Sequence, residues 1–162
     1  MASKQFFDPL TLLRVAPLVT STCSLWYCVD QDLFLGQFVK PHNREKGKEI
    51  LPGYWKTFLS PGLAVIFGLY GASLGAGVAN ALRGRPAVSR FYAIGAAFTA
   101  AHFLFVPLVM PKIQGMVDDE PKGQACEHQQ GWLKVHRIRS LVVDLPGWLC
   151  FLAAALESVK AI

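Results

Sequence analysis

Between Phe58 and Leu82 the chain reads FLSPGLAVIFGLYGASLGAGVANAL, with no charged side chain. A run of about 20 mostly apolar residues is what an α-helix needs to cross the ~30 Å hydrocarbon core of a bilayer. Backbone groups in lipid must find partners within their own segment, so such a run is a helix. Three further runs follow the same pattern. Phe91–Pro111 has His102 and Tyr92 as its ionisable side chains. Leu133–Leu156 and Leu10–Gly36 are apolar but interrupted, the latter by Arg14, Asp30 and Asp32. The expected architecture is all-α, a single domain over residues 1–162 forming a four-helix transmembrane bundle with spans near 10–36, 58–82, 91–111 and 133–156.

Composition agrees. The chain is 52% hydrophobic and 17% charged, against about 25% charged in an average soluble domain. No secretory cleavage pattern or lipidation box is visible. The net charge of +5 suits anionic headgroups, with the lipid bilayer as partner and no nucleic acid. Cys23, Cys28, Cys126 and Cys150 have no metal-knuckle spacing and read as small apolar fillers. Four spans put both termini and the short cationic loop RGRPAVSR on one face, and two long polar loops on the other. Gly71 and Gly75 form a GxxxG spacing, expected to serve close packing inside the bundle and less readily a homo-oligomer.

Polar side chains inside the spans carry the functional reading. Acids and arginines cost roughly 2.5–3.5 kcal/mol at a helix centre, and their presence marks function by default. On a regular α-helix Arg137, Ser140, Asp144 and Trp148 share a face, while Arg139 points elsewhere and snorkels to the boundary. On the first span Trp26 and Asp30 share a face, with Tyr27 at its edge. If these faces turn inward, Asp30, His102, Arg137 and Asp144 converge toward the long-loop half, walled by Trp26, Tyr27 and Trp148. The plainer alternative is an Asp–Arg clamp between the first and last spans. A carboxylate in such a pocket is a tunable acid or base. Paired carboxylates suit opening of an epoxide by water or by an internal hydroxyl. No dinucleotide fingerprint, haem or thiolate site is visible, so no cofactor is expected. A metal on His102 and the two aspartates is a weaker alternative.

The chain also resembles a known family. LPGYWKTF before the second span and GWLKVHRIRSL opening the last are similar to the fungal integral-membrane family that includes anthrone oxygenases, with Trp132, His136 and Arg139 in a Trp-x-x-x-His-x-x-Arg pattern. The segment VDLPGW with Asp144 looks more like the small membrane hydrolases that open polyene epoxides in related fungal pathways. The resemblance implies a lipophilic small-molecule intermediate of polyketide secondary metabolism as substrate, and the endoplasmic reticulum or a related endomembrane as location. Epoxide hydrolysis or epoxide-opening cyclisation is the leading expectation. In it Asp30 and Asp144 are the acid/base pair, Arg137 and His102 support them, and Trp26, Tyr27, Trp148 and Ser140 hold substrate. The alternatives are anthrone-type oxidation by molecular oxygen, with His102 or His136 as base, and a non-catalytic membrane scaffold.

Overall fold

A computed structural model describes residues 8–159. Its helices are α1 (Pro9–Leu35), α2 (Arg44–Arg83), α3 (Pro86–Ala101), α4 (Val106–Asp118), α5 (Ala125–Arg139) and α6 (Leu145–Val159). A 3₁₀ turn, His102–Phe105, joins α3 to α4, and a π turn, Ser140–Asp144, joins α5 to α6. Four continuous rods result: Pro9–Val39, Arg44–Arg83, Pro86–Asp118 and Ala125–Ser158, each long and apolar enough to cross a membrane. Local chemistry sets their ends. Asp8 caps α1 by accepting from Leu10 and Thr11 N–H at 3.2 and 3.0 Å, which satisfies donors the first turn would otherwise leave open. Asp119 closes α4 in the left-handed conformation, with φ 54°.

The rods overrun the bilayer on one side. The 40 residues of α2 make about 60 Å of helix at ~1.5 Å per residue, roughly twice a hydrocarbon core. Both connections expected as long loops are thus largely helical. Toward that end α2, α4 and α5 pack Leu51, Trp55, Met116, Cys126 and Trp132 into one buried cluster. Trp55 Nε1 donates to Gln129 Oε1 inside it, at 2.7 Å. We call this the loop end and the opposite one the terminal end. At the terminal end Val88, Tyr92, Phe151 and Ala154 form a second cluster. Leu12, Val19, Val29, Phe67, Leu104 and Leu149 are exposed around the rods. In water so broad an apolar surface would be a liability; against acyl chains it is the ordinary exterior.

Glycine packing differs from the expectation. A Cβ built on Gly68, Gly71 or Gly75 would meet nothing within 4 Å, so the GxxxG face turns outward rather than into the bundle. The close approaches belong to Gly77 and Gly95, where a Cβ would come within 3.0 and 2.6 Å of Phe151 Cε1. Phe151 is itself buried in the terminal-end core. Gly95→Ala should therefore overpack this core and cost about 1–3 kcal/mol, whereas Gly71→Ala should leave stability unchanged or slightly raised. Thermal unfolding of the two variants in detergent checks this, and equal effects would contradict the packing.

Candidate active site

The π turn decides which side chains meet. An i→i+5 turn accommodates one more residue than an α turn. It shifts everything before it by about 100° relative to everything after. Counted across that turn, Arg139 comes onto the face of Asp144 and Arg137 leaves it. The structure places them so. Asp144 and Arg139 are 8% and 5% exposed, with Arg139 Nε 3.4 Å from Asp144 Oδ2. Arg137 Nε instead donates to Asp32 Oδ1 at 2.6 Å, in an exposed pair. The expected shared face of Arg137 and Asp144 is thus corrected, and the boundary residue expected to snorkel is the buried ion-pair partner.

A connected polar cluster surrounds this pair. His102, at the start of the 3₁₀ turn, places Nδ1 2.9 Å from Asp144 Oδ1. The ring of Tyr70, from α2, covers His102 with centroids 3.8 Å apart. Cys28, from α1, places its thiol 3.9 Å from Asp144 Oδ2 and 3.8 Å from Tyr70 Oη. Every rod therefore contributes to the cluster. Behind Arg139, its Nη2 donates to His136 Nδ1 at 2.9 Å. Since a guanidinium only donates, His136 Nδ1 accepts and Nε2 carries the proton, which goes to Cys28 O at 3.0 Å. Trp132 stacks on His136, centroids 4.7 Å apart and planes 12° apart. Trp132, His136 and Arg139 lie at i, i+4 and i+7, one stripe of α5. The sequence pattern is thus a physical unit that holds the guanidinium in place.

The same logic orients His102. A carboxylate oxygen accepts from Nδ1–H, which leaves Nε2 as the ring's outward nitrogen. His102 and Arg139 also line a cavity of about 240 Å³, near the lower end of ligand pockets at ~300 Å³. Gln31 of α1 also lines it, and the remaining walls are mostly apolar: Phe58, Ile66 and Phe67 from α2, and Phe103, Val109 and Met110 from the third rod, among others. Phe67 and Met110 are also exposed on the lipid-facing surface, so the cavity borders the acyl region. A second crevice lies on the far side of Asp144, lined by Ser21, Ser24, Ser73, Thr99 and Trp148 among others. At about 10 Å³ it has room for roughly one water. A histidine that lines the cavity and is held through Nδ1 by a buried carboxylate is the arrangement of an oriented acid/base.

The other expected residues fall elsewhere. Asp30 lines a groove on the outer face of α1 and α2 with Trp26 and Tyr27, and makes no hydrogen bond or ion pair with Asp144. Two carboxylates therefore do not share one pocket, because Asp30 and Cys28 project from different faces of α1. Trp26 is 66% exposed and Tyr27 sits beside it, so neither walls the cavity. Trp148 adjoins Asp144 from the small crevice and its Nε1 donates to Thr22 Oγ1 at 2.8 Å. Ser140, in the π turn, buries its hydroxyl without a hydrogen-bond partner. Tyr70 and Cys28 join the cluster although the sequence reading passed over them. Among the described residues no three His, Cys, Asp or Glu side chains are grouped to hold a metal ion.

Stability should separate the two arginines. Removing one partner of a buried ion pair strands a charge, at a cost of roughly 3–5 kcal/mol. An exposed pair is worth about 0–1 kcal/mol. Arg139→Met should therefore lower the unfolding temperature in detergent far more than Arg137→Met. Comparable losses in both would contradict the burial of Asp144 with Arg139.

Known proteins bear on this site. The chain is 34% identical over 157 residues to epoxidase pydX of an Acremonium species, covering 93% of this chain and 96% of that protein. It is 31% identical over 155 residues to probable epoxidase scpX of Mollisia scopiformis, covering 93% and 98%. It is 29% identical over 170 residues to oxaleimides biosynthesis cluster protein N of Penicillium oxalicum, covering 94% and 92%. No family model and no solved structure matches the chain. With likeness of this degree along almost the whole of both chains, this four-span protein belongs to the fungal family that includes the proteins named epoxidase pydX and probable epoxidase scpX.

Proposed function

We propose that this chain is a membrane-embedded epoxidase of fungal secondary metabolism, acting on an alkene of a lipophilic intermediate drawn from the bilayer. The observation that carries the reading is that His102 and Arg139 line a mostly apolar, lipid-bordering cavity while both are joined to the buried Asp144. The relatives' names support epoxide chemistry, and the biosynthetic-cluster relative supports the pathway type. Epoxidation by dioxygen consumes one alkene, one O2, two electrons and two protons, and yields the epoxide and water. The electrons come from an external two-electron reductant. The leaving oxygen must be protonated as the O–O bond breaks. His102 is the group we assign to that step, because it lines the cavity and is tied to Asp144 through Nδ1–H, which leaves Nε2 for the substrate. Asp144 accepts from His102 Nδ1–H and so holds the ring in one orientation. The apolar walls exclude water from the nascent epoxide.

Epoxide opening, by water or by a hydroxyl of the substrate, is the second reading. It is favoured by the water-sized crevice that Asp144 also lines and calls on the same proton donor. As the imidazolium, His102 would give its Nε2 proton to the ring oxygen while water or the hydroxyl attacks carbon, and the proton lost by that nucleophile would return to the imidazole. In both readings the oriented histidine replaces the pair of carboxylates as the acid/base centre. Anthrone-type oxidation draws support only from the resemblance of the Trp132–Arg139 stretch.

Heavy-oxygen labelling in proteoliposomes or microsomes separates the readings. Epoxidation incorporates label from dioxygen, hydrolytic opening incorporates it from water, and internal cyclisation incorporates neither. His102→Gln and Asp144→Asn should each lower turnover by roughly 10²–10⁴-fold, the usual worth of a general acid/base. Asp30→Asn and Arg137→Gln should stay near the parent. Undiminished turnover in His102→Gln would remove the proposed acid/base centre.

A further inference from the structure

The terminal end carries a second polar cavity, of about 280 Å³, that the chemistry above does not use. Arg14 of α1, Arg83 closing α2 and Arg85 preceding α3 line it together, over Asn80, Tyr92 and Ser158. Among the described residues no aspartate or glutamate lines it. None of the three arginines pairs with a carboxylate among the described residues, whereas Arg44, Lys48, Arg137 and Arg139 each do. Asp8 acts on Arg14 from a distance without an ion pair, so three cationic side chains on one cavity still favour an anion between them.

The frame beneath them is fixed by hydrogen bonds between rods. Asn80 Nδ2 donates to Leu13 O at 2.7 Å. Tyr92 donates to Arg14 O at 2.8 Å, and Ser158 Oγ lies 3.1 Å from the same phenol oxygen. The carbonyl of Arg14 is thus held while its side chain remains free to reach the cavity. The N-terminus of α3, at Pro86, adds positive potential to the same corner. All three arginines stand at or near helix ends, the level where lipid phosphates lie.

We propose that this corner is a binding site for a phosphate group, met in the membrane as the headgroup of an anionic phospholipid. The planar fork of arginine matches phosphate oxygens bidentately. Basic pockets between membrane helices suit acidic headgroups. A cavity of this volume holds a phosphate and adjoining glycerol.

The test is thermal unfolding of the purified full chain in neutral detergent, with short-chain phosphatidic acid, short-chain phosphatidylcholine or inorganic phosphate added. A ligand that binds the folded state alone raises the unfolding temperature with concentration. Phosphatidic acid should produce a saturable rise of several degrees, and phosphatidylcholine should not. A rise with phosphatidic acid alone assigns the site to a lipid, and an equal rise with inorganic phosphate assigns it to the free anion. Arg83→Gln/Arg85→Gln should abolish the rise, and Arg83→Lys/Arg85→Lys should retain part of it. Because Arg83 and Arg85 are exposed, both variants should unfold near the parent temperature without ligand. No rise with either phosphate compound, or an undiminished rise in the Gln variant, would overturn the proposal.

Discussion

The structure turns on one buried ion pair, Asp144 with Arg139, and on the helical irregularity that permits it. A carboxylate and a guanidinium inside an apolar bundle are tolerable only in contact with each other and with further hydrogen-bonding groups. A regular α-helix from Ala125 to Val159 would carry the two on different faces. The π turn at Ser140–Asp144 removes that mismatch. The remaining partners, His102, Tyr70, Cys28 and His136, come from all four rods. The cluster is therefore a point where the whole bundle is tied together, and any reaction at His102 depends on it.

This arrangement divides the molecule by polarity. The loop end is an aromatic core built by the extended α2, α4 and α5. The terminal end is a small hydrophobic core under a cationic corner. Between them, the His102 cavity borders the acyl chains on one side of the cluster, and a hydroxyl-lined crevice lies on the other. In the proposed reaction a lipophilic substrate would reach His102 without crossing water, with Asp144 and Arg139 joined behind it. Local apolar surroundings strengthen each of these charge–charge and charge–dipole contacts.

Much of the fold was legible in the sequence, because hydropathy reads directly as span length. The Phe58–Leu82 run and its three companions sit within the four rods. Asp144 and His102 were legible too, since ionisable groups deep in apolar runs stand out against their cost. What failed was phase. A helical wheel assumes 100° at every residue, so it carried Arg137 onto Asp144 and sent Arg139 outward. A contrary signal was present in Trp132, His136 and Arg139, whose spacing makes one stripe and already joined Arg139 to a histidine and an indole. Asp30 failed for a different reason. Periodicity groups residues on a helix but does not say which face turns inward, and here the Trp26–Asp30 face turns to lipid while Cys28 turns to the core. Tyr70 was hidden in a run that reads as uniformly apolar. The expectation for Gly71 and Gly75 met the same limit, since small residues permit close packing without requiring it.

The central claim is that Asp144 fixes one orientation of His102, with Nδ1–H toward the carboxylate and Nε2 toward the cavity. Nitrogen-15 NMR of histidine-labelled protein in lipid bilayers reads this directly, with His102→Gln identifying the signal. The account predicts a proton on His102 Nδ1 in a strong hydrogen bond that is lost or weakened in Asp144→Asn. A His102 ring protonated at Nε2 alone, or a spectrum indifferent to the Asp144 substitution, would contradict it.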